Sequence, residues 1–406
     1  MIPASASVIV VSRHRPEALQ RCLLALTQQD HPNFEVVVVA DPAGIAAVGS
    51  MGLPLRLAVF DEANISVARN VGLTLAAGEI TAFIDDDAVA EATWLKRLCA
   101  PFSDLSVVAS TGFVRGRNGI SHQWKAAEVD RFGQDHLIEV PEAGAVRAGT
   151  AQRAVKTQGT NCAFRTETLR AIGGFNPGFR FFLDEADVNL RLAPFGSTAL
   201  IPLAEVHHGF AASVRRRHDR VPLDLTEIAA SSAIFLRLHA PDADPFPFGT
   251  RLRAEQGARL QAHRQAGRLD GDAQKALMDS LEKGWAQGMA RDLPPLCPIV
   301  AGPPNFTPLP GTGPRKGRVL HGLGWRRTHL LKAARAATKA GQIVTVFCFS
   351  LTARAHWNQF HREGFWWQEG GLFGRSDRQG QRFQCVSRAT RVRAEICRLA
   401  KVRPLD

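Results

Sequence analysis

The stretch EITAFIDDDAVAEATWL, Glu79–Leu95, sets an apolar run directly against three successive aspartates, Asp85, Asp86 and Asp87. Like charges crowded at the end of a strand repel one another, unless a cation lies among them. The run before them reads as a buried strand, and its neighbours say what kind of sheet receives it. SVIVV (Ser7–Val11), EVVVVA (Glu35–Ala40) and LRLAVF (Leu55–Phe60) read as further strands. Between them, PEALQRCLLALTQQ (Pro16–Gln29) places Leu19, Leu23 and Leu26 on one helical face, with Pro16 suited to a first turn. SVARNVGLTLAAG (Ser66–Gly78) reads as a helix with Ser66 as N-cap and Gly78 as its stop. Near-continuous apolar strands alternating with helices predict a Rossmann-like, mostly parallel α/β sheet covered on both faces.

The rest of the chain is more mixed. VVASTGFV reads as a strand, TETLRAIGG and DEADVNLRLAPFG as short helices, and Asp224–Ala240 as a longer amphipathic helix. A helical extension is expected over 241–291, as a hairpin turning at Asp270–Gly271. Residues 292–317 are rich in Pro and Gly and read as a linker. After it, THLLKAARAATKAGQIVTVFCFS makes one helix-then-strand unit, so 318–406 reads as a small, basic α/β appendage.

The 406 residues carry a formal charge of +12. That excess favours anionic partners, or simply a solvated basic face, and it concentrates late, at Ser213–Arg220 and Arg388–Arg403. Seven scattered cysteines without zinc-site spacing suit a reduced, cytoplasmic protein. No basic region precedes the first apolar run, which argues against a signal peptide, and no apolar run reaches membrane-spanning length. Any membrane contact would then be peripheral, on the inner face.

In open parallel sheets, ligands bind at the carboxyl ends of strands. Here the first strand ends in SRHRP, the second in Asp41 and the fourth in Asp85–Asp87. The first turn has no glycine cluster, which lowers a dinucleotide reading. An acidic strand end suggests phosphate held through Mg²⁺ or Mn²⁺, though three aspartates could also merely cap a turn. In FFLDEADVNLRLAPFG (Phe181–Gly196), Asp184, Glu185 and Asp187 crowd one helix start, where the dipole keeps carboxylates ionised. One of them could serve as a general base, or all could be caps, Asp184 for the following helix. In AEVHHGFAAS (Ala204–Ser213), His207 and His208 could reach a metal or a diphosphate. Strand alternation points only one of them there, and a plain core or surface histidine is the alternative.

Four motifs in order resemble the inverting glycosyltransferases of family 2, which have a GT-A fold. They are the opening SVIVVSRHRPEALQRCLLALTQQDHPNFEVVVVAD, then NISVARNVGLTLAAGEITAFIDDDAVAEATWL, GTNCAFRTETLRAIGGFNPGF and DEADVNLRL. The resemblance covers about residues 5–215 and implies a GT-A domain over 1–240. It implies that Asp41, Arg69 and Arg13 contact the donor's nucleotide, and that Asp85 and Asp86 face its sugars. Asp87, with Asp85 and His207 or His208, would hold the metal in a D-x-D-like arrangement. Glu185 would be the catalytic base, with Asp184 beside it, and Asn161 and Asp187 would lie on the acceptor side. The implied partners are a UDP-, GDP- or dTDP-linked sugar and a sugar, polysaccharide or lipid-linked acceptor, with no nucleic acid. Two departures stand out: Ala40 replaces the first of two acidic residues at the second strand end, and the family's ED pair is reversed to DE. The alternatives are a sugar-nucleotide nucleotidyltransferase, disfavoured by the missing glycine loop, and a non-catalytic module that binds nucleotide sugars or anionic surfaces.

Overall fold

The computed structural model describes residues 3–209, 215–302 and 305–405. The first strand, Ala6–Ser12, lies between Phe34–Ala40 and Ile80–Asp85 and runs parallel to both. Arg56–Val59, third in chain order, adds a further parallel strand at the edge and makes Ile80–Asp85 the fourth. On the other side the direction reverses. Cys162–Arg165 pairs antiparallel with both Ile80–Asp85 and Val107–Arg115, and the sheet continues through Ser197–His208 to Ala145–Ala148. The parallel half therefore places the ends of the first, second and fourth strands along one rim, as their apolar runs predict.

Strand alternation assigns each residue to a side. Val8, Val10, Val36 and Val38 pack with Leu19 and Leu23 of the helix Pro16–Leu26. Ile9, Val37, Val39 and Phe83 face the opposite way, against Ala68 and Leu73 of the helix Ile65–Leu75. That second helix differs at both ends from the expectation. Asn64 is its N-cap, accepting from the Val67 amide at 3.2 Å, while the Ser66 hydroxyl donates to the Phe179 carbonyl at 2.6 Å. It also ends at Leu75, before Gly78. Gly78 serves a different need. Its amide donates to the Ser7 hydroxyl at 2.8 Å, and a Cβ there would stand 2.6 Å from the Ala6 carbonyl carbon and the Ser7 nitrogen.

Thr226–His239 is the buried helix against which the hairpin Pro245–Gln265 and Gly271–Ala290 stacks. The hairpin turns where expected, and Asp270 caps its second arm by accepting from the Ala273 amide at 2.8 Å. Gly284 and Gly288, four apart, let that arm touch backbone: Cβ atoms there would lie 2.1 Å from the Thr226 carbonyl oxygen and 2.4 Å from that of Ala230. No described helix is long and apolar enough to cross a membrane.

The Pro/Gly-rich stretch departs from a free linker. Its described residues before Gly317 form neither helix nor strand, but they are tied down at several points. The amides of Ile299, Gly302, Leu309 and Gly313 donate to the carbonyls of Arg170, Thr74, Phe34 and Gln29. Beyond it, Gly317–Leu323, Ile343–Ser350 and Trp366–Gly371 form a small parallel sheet, with Trp357–Phe360 antiparallel at one edge. The last helix, Arg388–Leu399, does not present a solvated basic face throughout. Arg391 is buried and donates to the Leu372 and Gly374 carbonyls, and Arg398 bonds Glu395 and Gln368.

Gly78→Ala is expected to destabilise the protein by about 1–3 kcal/mol, because overpacking against backbone cannot relax by a rotamer change. A denaturant midpoint unchanged from wild type would contradict the close approach described.

Candidate functional site

At the rim, the strand Ile80–Asp85 delivers its aspartates into three different environments. Asp86 is fully buried; it accepts from the Ser12 hydroxyl at 2.7 Å and lies 2.6 Å from the Arg15 guanidinium. Burial, opposed by Arg15 but reinforced by the Asp87 charge, pushes its carboxyl up to about 7. Asp87 is also buried, 3.3 Å from Arg15 on one side and 3.2 Å from His208 Nε2 on the other. Asp85 remains about a third exposed, 4.0 Å from the same imidazole nitrogen. One ligand atom from each of Asp85, Asp87 and His208 can lie within 4.8 Å of the others, a spacing that suits one divalent cation. Two carboxylate oxygens and one imidazole nitrogen are a fitting donor set for Mn²⁺ or Mg²⁺, with room for phosphate or water to complete the shell.

His207 lies elsewhere. It pairs with Val89 across the strand, points to the opposite face, and meets Glu91 Oε1 at 2.8 Å. Burial holds its imidazole below the usual range. Of the two histidines, His208 is the one that joins Asp85 and Asp87, and His207 belongs to a separate cluster with Glu91 and Glu205. The segment after Gly209 that was read with them, 210–213, lies outside the described residues.

Across the rim, Arg69 is buried and charged. Its Nη1 donates to Asp184 and, at 3.1 Å, to Glu185 Oε1, while Nη2 stands 3.7 Å from Asp85. The guanidinium lies over Phe175, 5.0 Å from the ring centre. Asp184 is not a cap; the residue before the helix Asp184–Leu192 is Leu183, in the left-handed region at φ 63°. Burial first, then the Glu185 charge, push the Asp184 carboxyl well above the ordinary range. Glu185, against its own burial, is held below that range by Arg69 and a backbone amide. These effects favour the proton on Asp184 and the charge on Glu185, and Glu185 is also the more accessible, 21% against 3%. An ionised carboxylate one guanidinium away from a cation site can accept a proton beside a metal-bound phosphate.

The other expected site residues are placed as follows. Asp41 is buried, accepts from the His14 amide at 2.9 Å, and faces the His14 ring. Arg13 turns to Asp61 at 2.8 Å, away from the aspartate triad. Asn161 is a structural hub: it accepts from Trp94 Nε1 at 2.8 Å and donates to the Phe113 and Ala204 carbonyls. Asp187 is buried against Arg191 at 2.6 Å and His239 at 3.0 Å. Neither Asn161 nor Asp187 is accessible to an acceptor in this structure.

Two site residues lacked a clear sequence signal. Arg15 was hidden in SRHRP beside Arg13. Gly159 was hidden because its neighbours come from distant segments: a Cβ there would stand 1.8 Å from Glu185 Oε1 and 2.3 Å from Arg69 Nη2.

Part of the chain is similar to known proteins. Residues 7–180 match the family described as Glycosyl transferase family 2. The matched stretch, 174 of the chain's 406 residues, carries Arg69, Gly159 and the three aspartates, while Asp184 and Glu185 lie just beyond it. No curated protein matches it. Among solved structures, GalNAc-T7 with UDP, GalNAc and Mn²⁺ aligns at 12% identity and a TM-score of 0.43, over 58% of this chain and 48% of that one. The present chain thus spans about half of that protein's length. Residues 1–349 of S. aureus TarS align at 18% identity and a TM-score of 0.40, over 70% and 81% of the two chains. The mannosyltransferase PcManGT from Pyrobaculum calidifontis, in complex with GDP-Man and Mn²⁺, aligns at 16% identity and a TM-score of 0.41, over 71% and 87%.

Gly159→Ala is expected to displace the Glu185 carboxylate and lower turnover by about 10²-fold, the scale of an ångström-sized misplacement at a reacting group. Mn²⁺ affinity should change less than turnover, because the Cβ meets Glu185 directly and reaches Asp85 only through Arg69 Nη2. Wild-type turnover in a folded Gly159→Ala protein would show that the contact has no bearing on the site.

Proposed function

We propose that the protein transfers a sugar from a nucleotide-sugar donor to an acceptor hydroxyl, in one metal-dependent displacement that inverts the anomeric carbon. The observation that carries this reading is the double contact of Arg69. It touches Asp85 of the cation cluster and Glu185, and so sets the ionised base beside the place where the donor's phosphates would lie.

Asp85, Asp87 and His208 would hold the cation, which supplies charge neutralisation for a departing diphosphate. The imidazole favours Mn²⁺ over Mg²⁺, whose preferred shell is all oxygen. Asp86 anchors the cluster through Ser12 and Arg15, and Asp41 stands where a nucleobase would meet the second strand's end. Arg13, paired with Asp61, borders that nucleobase side. Glu185 takes the acceptor hydroxyl proton. The acceptor oxygen then bonds the anomeric carbon, as the bond from that carbon to the phosphate oxygen breaks and its electron pair leaves with the nucleoside diphosphate. Asp184 keeps its proton and donates toward Glu185, which holds the base in place. Phe181 and Phe182, exposed just before the base, offer rings against which an acceptor sugar can lie.

Glu185→Gln should lower turnover by about 10²–10⁴-fold, the usual reach of a general base, with donor affinity retained. Asp184→Asn, which keeps the group neutral, should cost far less; equal losses in the two variants would move the base to Asp184. Asp87→Ala should abolish the Mn²⁺-dependent rise in melting temperature that a bound sugar nucleotide produces in the wild type. A wild-type shift in that variant would remove Asp87 from the metal site.

A further inference from the structure

Two clusters of carboxylates and histidine sit at opposite ends of one short ribbon. The ribbon pairs Ala88–Ala90 with Val206–His208: Ala88 opposite His208, Val89 opposite His207, and Ala90 opposite Val206. At its outer end are Asp87 and His208 of the proposed cation site. At its inner end are Glu91, Glu205 and His207, whose ligand atoms also come within 4.8 Å of one another.

The inner cluster already holds cations, and they are the protein's own. Arg115 bonds Glu205 through Nε at 2.6 Å and Nη2 at 2.7 Å. Arg403, three residues before the last, bonds Glu91 through Nε at 2.9 Å and also through Nη2. Arg403 and Glu91 are both fully buried. The guanidinium stacks 3.8 Å from the centre of the Trp366 ring, and Trp366 in turn packs on His207 at 4.7 Å. The same tail clamps the following turn, where the Thr93 amide and hydroxyl both bond the Val402 carbonyl.

We propose that the C-terminal region is a brace for the metal site, with Arg403 as its positioning residue. It fixes the inner end of the ribbon through Glu91 and His207, and the ribbon's pairing carries that placement outward, four residues to Asp87 on one strand and one residue to His208 on the other. The Gly209 amide, bonded to the Asp87 carbonyl at 2.8 Å, closes the outer end. A buried Glu91 without its arginine would pull in water or a proton and shift the two-stranded ribbon that bears the ligands. Hydrogen-bonded partners behind metal ligands typically govern affinity by about 10–100-fold.

This inference rests on the proposed cation site, and the test separates the two. Mn²⁺ binding to the full-length protein is titrated by electron paramagnetic resonance of the free ion, with no donor present. Wild type, Arg403→Lys, Arg403→Met and Lys401→Ala are compared, and the folded fraction of each is measured by thermal melting. Lys401 joins Glu142 at the surface, so its variant controls for loss of a peripheral tail contact. Arg403→Lys keeps the charge and loses the two-pronged bond. It should stay folded and bind Mn²⁺ at least about tenfold more weakly. Arg403→Met, where folded, should be weaker still, and Lys401→Ala should match wild type. Folded Arg403→Lys with wild-type Mn²⁺ affinity overturns the brace. Wild type that binds no Mn²⁺ overturns the cation site itself.

Discussion

One buried guanidinium joins the two halves of the site. Arg69 rises from the helix Ile65–Leu75 on a floor formed by Phe83 and Phe175, and meets Asp85 from the fourth strand and Asp184 and Glu185 from a helix more than a hundred residues later. A lone buried cation would be far too costly to keep, so the carboxylates are its condition of existence. Three carboxylates against one guanidinium are in turn an excess of negative charge. The structure disposes of that excess in two ways. Asp184 retains a proton, and Asp85 faces outward, toward a place where a second cation fits. The candidate cation cluster at the rim and the raised carboxyl of Asp184 are thus two sides of one charge balance.

That balance also explains why the reversed acidic pair matters little. Which carboxylate is ionised depends on where each lies relative to Arg69 and to water, and only indirectly on their order in the chain. Asp184 occupies the deep position and Glu185 the accessible one. The longer glutamate side chain reaches out from the first helical turn, while the shorter aspartate stays beneath it.

The strands, their parallel order and the two covering helices were legible because each is a short-range pattern: apolar runs, a period near 3.6, and proline at a helix start. The aspartate triad and the DE pair were legible as clusters of charge. What stayed hidden depended on a turn of the backbone or on a partner far along the chain. Arg13 and Arg15 look alike in SRHRP; His14, left-handed at φ 58°, reverses the path between them and sends only Arg15 inward. His207 and His208 are told apart by a pairing register, and a shift of one residue would exchange their roles. Glu91 and Arg403 are 312 residues apart, and neither carries a local sign of the other. The basic C-terminal stretch misled for the same reason: several of its arginines satisfy carbonyls and carboxylates inside the fold.

The strapped segment between the helical hairpin and the small sheet has a consequence for assembly. Its ties to the body of the protein run from the Gly313 amide, on the Gln29 carbonyl, to the Arg315 guanidinium, on the Thr27 carbonyl, only two residues before the first strand of the C-terminal sheet. That strand starts out leashed beside its docking surface, and the search volume left to it is that of a very short loop. Closing so short a tether costs little chain entropy, and the local concentration of the tail is correspondingly high. Docking of the last domain is then insensitive to dilution, and a cut within the strap would turn a fixed part of the fold into a separable subunit.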